Sequence, residues 1–286
     1  MSVSATPPQL STPFCDWVAP AQIDNLVIGS GYGGAVAALR LAEAGHSVVV
    51  LERGSEFLPG DFPNDIGDLP KFLRAPALRG PGVLGSPSGL FDWHVGAGVV
   101  SLTANGVGGG SLINAGVTMA PEADVLRQSA WPASLRAELD APALSLARGF
   151  ERALATLRST PWVDSPDTLS TPALAKSRAL ARLAPFLQAG ATATPVNLTI
   201  DPSRCTRCGD CTSGCNVPGA KLTLRDTYLA SAVRHGALIV SGASAWRVAP
   251  AAGGGWLVTV LPTECGTHHV SAADAAASDD ALILSV

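Results

Sequence analysis

Residues 23–54 read IDNLVIGSGYGGAVAALRLAEAGHSVVVLERG, and this stretch decides the fold. An apolar run at 26–28 leads into a glycine-rich turn, which is followed by a helical pattern and a second apolar run at 48–51. Strand, turn, helix and strand within about 30 residues form a βαβ unit. The stretch therefore predicts an α/β chain with a Rossmann-like dinucleotide-binding domain.

The turn fits the G-x-G-x-x-G pattern with Gly29, Gly31 and Gly34. In such a turn the first glycine permits the tight bend, the second lets the backbone approach a pyrophosphate, and the third lets helix and strand pack closely. Glu52 ends the second strand 18 residues after Gly34, where its carboxylate can accept hydrogen bonds from a ribose. We predict a dinucleotide site rather than a purely structural glycine turn. Its further predicted members are Tyr32, Gly33 and Arg53.

Composition argues against several classes of partner. The 286 residues carry a net charge of -4 without a concentrated run of Lys or Arg, so nucleic acid is not expected as a partner. No apolar run approaches the roughly 18 residues of a membrane span. Because the first basic residue is Arg40, no secretory signal is expected, and we predict a cytoplasmic protein.

A second glycine-rich segment, NGVGGGSLINAGV at 105–117, shapes the choice of cofactor. Together with the first motif it resembles the glucose-methanol-choline (GMC) oxidoreductases, and within them the cholesterol oxidase branch. The resemblance continues at Trp131-Pro132 and in GAKLTLRDTYLASAVRHGALIV at 219–240. It implies FAD as the cofactor, whereas a nicotinamide dinucleotide leaves the second glycine segment unexplained.

The resemblance also implies particular contacts with FAD. Three glycines are expected to approach the isoalloxazine through their backbones, two polar side chains to contact the flavin, and two later residues to meet the adenine. The three glycines are Gly108, Gly109 and Gly110. The polar side chains are those of Ser111 and Asn114, and the residues expected at the adenine are Ala245 and Trp246.

The chemistry implied by the family is oxidation of the CH-OH group of an alcohol, sterol-like by analogy with the cholesterol oxidase branch, with hydride transfer to flavin N5. Electrons would then pass to oxygen or to a redox partner. In the family the alcohol proton is taken by a histidine, paired with another histidine or an asparagine, in the C-terminal part of the chain. The five histidines here do not match that pair, so the catalytic residues are unknown. The five histidines are His46, His94, His235, His268 and His269.

Four cysteines follow the C-x2-C-x2-C-x3-C spacing of bacterial iron-sulfur ligation. A [4Fe-4S] cluster would need the fourth cysteine to turn back, or Cys15 or Cys265 to complete the ligand set. Zinc, a disulfide, or reduced structural cysteines are the alternatives. The four residues are Cys205, Cys208, Cys211 and Cys215.

The chain is expected to divide into an FAD-binding domain and an interleaved substrate domain. Prolines recur between Ser55 and Leu90 and exclude long helices and central strands there. The final residues, ALILSV, favour a buried parallel strand, and we expect a chain truncated at its C-terminus. The predicted divisions are 1–22 as a loose lead-in, 23–120 as the FAD-binding unit with the flavin-contacting segment, 121–200 as the helical part of the substrate domain, and 201–286 as the cysteine-rich segment returning to the FAD-binding domain.

Two functions remain open at this point. The first is a GMC-type FAD-dependent alcohol oxidase or dehydrogenase. The second is a noncatalytic FAD-binding or iron-sulfur electron-transfer protein that lacks the catalytic half.

Overall fold

The computed structural model describes residues 7–77, 83–139, 146–162, 175–187, 190, 195–263 and 281–286. The chain forms two units that interleave in sequence, as predicted for an α/β FAD-binding domain carrying a second domain. The first unit comprises Met1–Ala115, Cys208–Pro218 and Thr223–Val286, and the second comprises Gly116–Arg207 and Gly219–Leu222.

The strands of the described residues are numbered in chain order. They are β1 (Ser11–Pro13), β2 (Leu26–Ile28), β3 (Val49–Glu52), β4 (Leu73–Pro76), β5 (Val83–Gly85), β6 (Phe91–Val95), β7 (Val100–Ala104), β8 (Val117–Thr118), β9 (Thr160–Pro161), β10 (Asn197–Leu198), β11 (Leu238–Ser241), β12 (Ala243–Pro250), β13 (Trp256–Pro262) and β14 (Leu282–Ser285).

The α-helices are numbered in the same way. They are α1 (Tyr32–Glu43), α2 (Leu69–Phe72), α3 (Ala123–Leu126), α4 (Ala133–Glu138), α5 (Leu146–Leu157), α6 (Ala175–Leu187) and α7 (Ala230–Arg234). A π-helical turn at Arg225–Leu229 leads directly into α7. Short 3-10 turns lie at Phe14–Asp16, Gly109–Leu112 and Asp210–Thr212.

The predicted βαβ unit is confirmed, and it lies in a four-stranded parallel sheet. The strand order is β1-β11-β3-β2, with Val27 beside Val50 and Val50 beside Ile239. Every residue of β3 is buried, which explains its continuous apolar run, because a parallel sheet is covered on both faces. The carboxyl ends of β2, β3 and β11 therefore lie at one edge, the edge at which ligands bind in such sheets.

Helix α1 connects β2 to β3 and packs through one face. Its buried residues are Ala35, Ala38, Leu39 and Ala42, a spacing that places all four on one side of a helix. The helix begins immediately after Gly31 and ends at Glu43, followed by Gly45 with a φ of 83°. A glycine with positive φ is a common helix terminator, since other residues are strained there.

The N-terminal segment is more ordered than predicted. Ser11–Pro13 forms β1, parallel to β11, instead of belonging to a loose lead-in over 1–22. The reason is the buried carboxylate of Glu56, which accepts hydrogen bonds from the backbone N-H groups of Leu10 (2.9 Å) and Ser11 (2.8 Å). Arg225 donates from Nε to the same carboxylate at 2.6 Å. These partners lie far away in sequence, so local composition does not reveal them.

A second sheet contradicts the prediction that residues 55–90 contain no central strand. Its order is β5-β4-β6-β7, so β4 lies between two neighbours. The only proline in β4 is Pro76, the last residue of the strand, where it pairs with Val83 on the antiparallel side. A proline at a strand end removes little of the hydrogen-bond ladder, and the strand persists.

The third sheet of this unit, β12-β13-β14, is antiparallel. The prediction of a buried parallel strand at ALILSV was wrong, because β14 runs antiparallel to β13. Within β14 only Leu284 is buried, while Ile283 is 64% exposed. One face of the strand is thus covered and the other open, which antiparallel sheets permit. Leu284 joins a core cluster that includes Ile23 and Leu51.

The described helices of the second unit all lie within residues 121–200, the range predicted to be helical. Helices α3 to α6 lie there, together with β9 and β10. A three-stranded antiparallel sheet of order β8-β10-β9 joins Val117 to Leu198 and Leu198 to Thr160. The unit is therefore a mixed α/β structure rather than a purely helical one.

We expect Arg225→Ala to destabilise the protein by about 3–5 kcal/mol, because it leaves the buried Glu56 carboxylate without its charged partner. The Arg225 and Glu56 side chains are only 6% and 0% exposed. Denaturant unfolding monitored by circular dichroism measures the change. Arg40→Gln is the control, since its partner Glu43 is partly exposed and surface pairs contribute little. Equal destabilisation by both variants would contradict the argument.

Candidate functional site

The first glycine turn has the geometry that its sequence predicts. Gly29 has a φ of 87°, and its N-H donates to the carbonyl of Leu51 at 2.8 Å, which ties the turn to β3. A Cβ at Gly34 would lie 1.8 Å from the carbonyl oxygen of Gly29. Helix α1 and β2 are therefore so close that only glycine fits at Gly34, as predicted.

Gly31 and Gly33 are different, because the protein itself leaves room for a side chain. A Cβ at either position would meet no atom within 4 Å. Gly31 has a φ of -66°, which any residue adopts readily. Protein packing thus gives no reason for glycine at Gly31, whereas close approach of a ligand to the backbone does.

The carboxylate of Glu52 lies at the end of β3 and is buried. One oxygen, Oε2, accepts hydrogen bonds from the Ser30 N-H (2.9 Å) and hydroxyl (2.6 Å), and the other, Oε1, accepts from the Gly54 N-H (2.9 Å). A carboxylate offers about four acceptor positions, so one is left for a ribose hydroxyl. Glu52, which was predicted to bind the ribose, therefore also holds the glycine turn in place.

The structure brings the second glycine segment against the first. Gly108 and Gly109 have φ values of 107° and 51°, a left-handed conformation that favours glycine. The N-H of Gly108 donates to the hydroxyl of Ser30 at 3.0 Å. A Cβ at Gly109 would lie 2.7 Å from the Cα of Gly31, so the two backbones are in direct contact. Gly110 is exposed, with open space where a side chain would be.

Residues directly after β3 hold the beginning of the second segment. The carbonyl of Ser55 accepts a hydrogen bond from the Val107 N-H at 3.0 Å. A Cβ at Gly54 would lie 2.3 Å from the carbonyl carbon of Asn105, which is another contact that requires glycine. The turn after β3 therefore supports both glycine segments.

Arg53, a predicted cofactor-binding residue, makes contacts within the protein. Its Nε donates to Oδ1 of Asn105 at 2.9 Å, and its Nη2 donates to the carboxylate of Asp92. Asp92 is fully buried and also accepts from Nη1 of Arg74 at 2.6 Å. His94 lies 3.1 Å from the same carboxylate through Nε2. These contacts give Arg53 a structural role, which its sequence position next to Glu52 does not indicate.

Ser111 and Asn114 were both predicted to contact the flavin. In the structure their side chains have different hydrogen-bond partners within the protein. The hydroxyl of Ser111 is buried, donates to the carbonyl of Gly108 at 2.7 Å and accepts from the Leu224 N-H at 3.0 Å. Asn114 instead donates from Nδ2 to the hydroxyl of Tyr32 at 2.7 Å. The Tyr32–Asn114 bond joins the two glycine segments at a partly exposed position.

The predicted adenine contacts lie on another element. Ala245 and Trp246 belong to β12, in the antiparallel sheet. A register shift between Ala245 and Arg247 marks a β-bulge, and Trp246 is 51% exposed. The N-H of Gly242, the residue before β12, donates to the carbonyl of Gly54 at 3.1 Å, and Ala245 packs against a core cluster that includes Leu51. The element therefore begins beside the end of β3 that carries Glu52, and the adenine contact stays a prediction.

The described histidines make local contacts. His94 belongs to the Asp92 cluster, and Nδ1 of His235 lies 2.9 Å from the carbonyl of Ser231. His46 is exposed in the loop before β3. His268 and His269 lie outside the described residues.

The four-cysteine segment gains no support as a metal site. None of the four cysteines forms a disulfide bond. Across the described parts of the chain, no group of three or more His, Cys, Asp or Glu side chains is arranged to hold a metal ion. Cys15, considered as a substitute ligand, is disulfide-bonded, and Cys265 lies outside the described residues. The [4Fe-4S] and zinc hypotheses therefore have no structural basis here.

The end of this segment has a clear structural task. Asn216 accepts from the N-H groups of Gly60 (2.7 Å) and Phe62 (3.2 Å) and donates to the carbonyl of Phe62 and to Asn64. A Cβ at Gly214 would lie 2.0 Å from the ring of Phe62. Residues 214–216 thus fix the loop at 60–64 by packing and hydrogen bonds.

Comparison with known proteins identifies the family. The family model described as GMC oxidoreductase matches residues 23–277. The chain belongs to the GMC oxidoreductase family. It is 31% identical over 275 residues to a cholesterol oxidase of Mycobacterium tuberculosis, covering 87% of this chain and 46% of that protein. It is 28% identical over 236 residues to the long-chain-alcohol oxidase FAO1 of Arabidopsis thaliana, covering 79% of this chain and 26% of that protein.

A solved structure also aligns with this GMC chain. Pyridoxine 4-oxidase from Mesorbium loti gives a TM-score of 0.48 at 15% identity, covering 92% of this chain and 48% of that one. The chain thus spans about half the length, or less, of the relatives it matches. No helix among the residues described is long and apolar enough to cross a membrane.

Membership of the GMC family implies FAD, and the residues fit that cofactor. A Cβ at Gly31, Gly33 or Gly110 would meet no atom within 4 Å, so a ligand can approach the backbone closely at these positions. The first of these glycines precedes α1, a 12-residue helix whose N-terminus favours the negative charge of a pyrophosphate. The sequence patterns identified these glycines but missed Ser30, for which the only signal was a hydroxyl residue between Gly29 and Gly31.

Two adjacent glycines provide a direct test of this geometry. We expect Gly34→Ala to destabilise the fold by about 3 kcal/mol or more, because the added methyl overlaps the Gly29 carbonyl. Gly33→Ala meets no atom and should stabilise helix α1 by about 0.5–1 kcal/mol. Chemical denaturation of both variants measures the difference, and equal stabilities would contradict the packing described.

Tyr32 should titrate above its ordinary pKa of 10.0, because partial burial raises its pKa more than the Asn114 hydrogen bond lowers it. Asn114→Ala should raise this pKa further by removing the donor that stabilises the phenolate. The chain has two tyrosines, so tyrosinate absorbance in a Tyr228→Phe background reports Tyr32 alone.

The raised pKa of Tyr32 also makes the folding stability of the protein depend on pH. Because the folded-state pKa of Tyr32 is raised, its contribution to stability is present below pH 10.0 and is lost as pH rises through the folded-state value. A Tyr32 that titrates at or below its ordinary pKa would contradict the described environment.

Proposed function

We propose that this chain binds FAD on the surface formed by its two glycine segments. The contact between Gly31 and Gly109 carries the proposal, because it joins two backbones that are both glycine at the carboxyl edge of a parallel sheet. Gly31 has no packing reason to be glycine, so a bound ligand supplies the reason. The buried carboxylate of Glu52 keeps this surface in shape by holding Ser30 and Gly54.

We further propose that the protein, with the rest of the family's catalytic residues, oxidises the CH-OH group of a small-molecule alcohol. FAD when bound would supply the hydride acceptor, at flavin N5. Relatives named cholesterol oxidase and long-chain-alcohol oxidase support a largely apolar alcohol as substrate, sterol-like or long-chain. The electron acceptor would be oxygen or a redox partner.

The residues of this chain would bind and orient the cofactor. Backbone N-H groups at the start of α1 would hold the pyrophosphate. Glu52 would accept a hydrogen bond from the ribose with its remaining acceptor position. Tyr32 and Asn114, joined at 2.7 Å, would keep the partly exposed side of the two segments together.

FAD binding can be tested with two Gly→Ala variants. Gly31→Ala should keep the fold, because its φ of -66° suits alanine and its Cβ meets no atom. It should weaken FAD binding by about tenfold or more, since a methyl group would occupy the ligand's approach. Fluorescence titration with FAD gives the dissociation constants.

Gly149→Ala is the matched control. It lies in α5 of the second unit, also in open space, and should leave FAD affinity unchanged. If wild-type protein fails to bind FAD, the proposal is wrong. Equal FAD affinity in Gly31→Ala and wild type would refute the assigned location.

Oxidation of alcohols can be tested by hydrogen peroxide release and by reduction of an artificial electron acceptor. The FAD-loaded protein, with the rest of the family's catalytic residues present and supplied with sterols and long-chain primary alcohols, should turn over at least one of these classes. Bleaching of the flavin absorbance by substrate under anaerobic conditions is the direct readout. A flavin that stays oxidised with every alcohol, yet accepts electrons from dithionite, would favour the noncatalytic FAD-binding alternative.

A further inference from the structure

Ser30 is a fully buried polar residue inside the first glycine motif. Its hydroxyl lies 2.6 Å from Oε2 of Glu52 and 3.0 Å from the backbone N of Gly108. A carboxylate only accepts and an N-H only donates, so the direction of both bonds is fixed. The Gly108 N-H donates to the Ser30 hydroxyl, and that hydroxyl donates to Glu52.

These two consecutive hydrogen bonds join three separate parts of the sequence. Glu52 ends β3, Ser30 lies in the first glycine turn, and Gly108 lies in the second glycine segment. The acceptor at their end is the Glu52 side chain, and hydrogen bonds to a carboxylate are stronger than those between neutral groups. Each bond also polarises the next one in a buried environment.

The position of the second segment depends on this link. Gly108 adopts a φ of 107°, and the next residue, Gly109, approaches Gly31 so closely that a Cβ would lie 2.7 Å from the Cα of Gly31. Without the hydroxyl, the buried N-H of Gly108 would lose its partner, and an unsatisfied buried donor is unfavourable. The segment would then shift to find another acceptor, which changes the spacing between the two glycine backbones.

We propose that Ser30 is a positioning residue that sets the distance between the two glycine segments. It holds the second segment where the flavin end of the cofactor must lie when the nucleotide end rests on the first motif. The inference builds on the proposed binding of FAD. It adds that recognition of the two ends is coupled through one buried side chain.

The test compares FAD with ADP, which carries the adenosine and pyrophosphate of FAD but no flavin. Isothermal titration of wild type and Ser30→Ala gives dissociation constants for both ligands. Ser30→Ala should weaken FAD binding by about tenfold or more, the effect of one unsatisfied buried donor, and ADP binding by much less. Hydrogen exchange should accelerate at residues 105–112 in the variant without ligand.

Two further variants make the result specific. Thr227→Val removes another buried hydroxyl, which donates to the carbonyl of Thr223 at 2.8 Å, and should lower stability without changing the ratio of FAD to ADP affinity. Ser30→Cys keeps a side chain of similar size with a weaker donor and should give an intermediate loss. It also replaces Ser30→Ala if that variant does not fold.

The outcomes separate the two proposals. Wild-type protein that binds neither ligand overturns FAD binding itself and the coupling with it. Wild-type protein that binds FAD, with Ser30 variants that bind it equally well, overturns the positioning role alone. An equal loss of FAD and ADP affinity also overturns it, because Ser30 would then serve only the first motif.

Discussion

The buried carboxylate of Glu52 is the contact on which the site depends. A carboxylate inside a protein requires hydrogen-bond donors, and Glu52 finds them in Ser30 and Gly54. The first holds the turn between β2 and α1, and the second begins the turn that supports Asn105 and Val107. The loops at the edge of the sheet are thus arranged around one negative charge. The apolar side chains of the sheet need no such donors, because their burial is favourable by itself.

Sequence patterns predicted the local geometry of this site well. The βαβ unit follows from periodicity, and Gly34 follows from the need for close packing of helix and strand. The resemblance to the family implied that the second glycine segment contacts the flavin, and the direct contact between the two segments was seen only in the structure. The same patterns could not reveal the tasks of Arg53 and Ser111, because a polar side chain next to a ligand site can face the protein as easily as the ligand. Only their partners, Asn105 and Leu224 among them, decide the matter.

The wrong predictions share one physical cause. The strand at Ser11–Pro13 exists because Glu56 and β11 lie beside it, and β14 is antiparallel because β13 is its neighbour. Period and composition describe how a segment relates to itself, whereas strand direction depends on which partner the rest of the chain provides. The cysteine spacing found no support as a metal site among the described residues. It matched a ligand pattern, but Gly214 and Asn216 use the segment to fix the loop at 60–64.

The hydrogen bond between Ser30 and Gly108 spans 78 positions of the chain, and the Arg225 to Glu56 ion pair spans 169. Contacts so distant in sequence require large loops to close before they gain anything, and they tend to form late in folding. The glycine turn can bend early by itself, but the surface opposite it arises only when the chain is almost folded. A ligand held by both segments would therefore act as a selective stabiliser of the finished fold, and its supply during synthesis would influence how much protein matures.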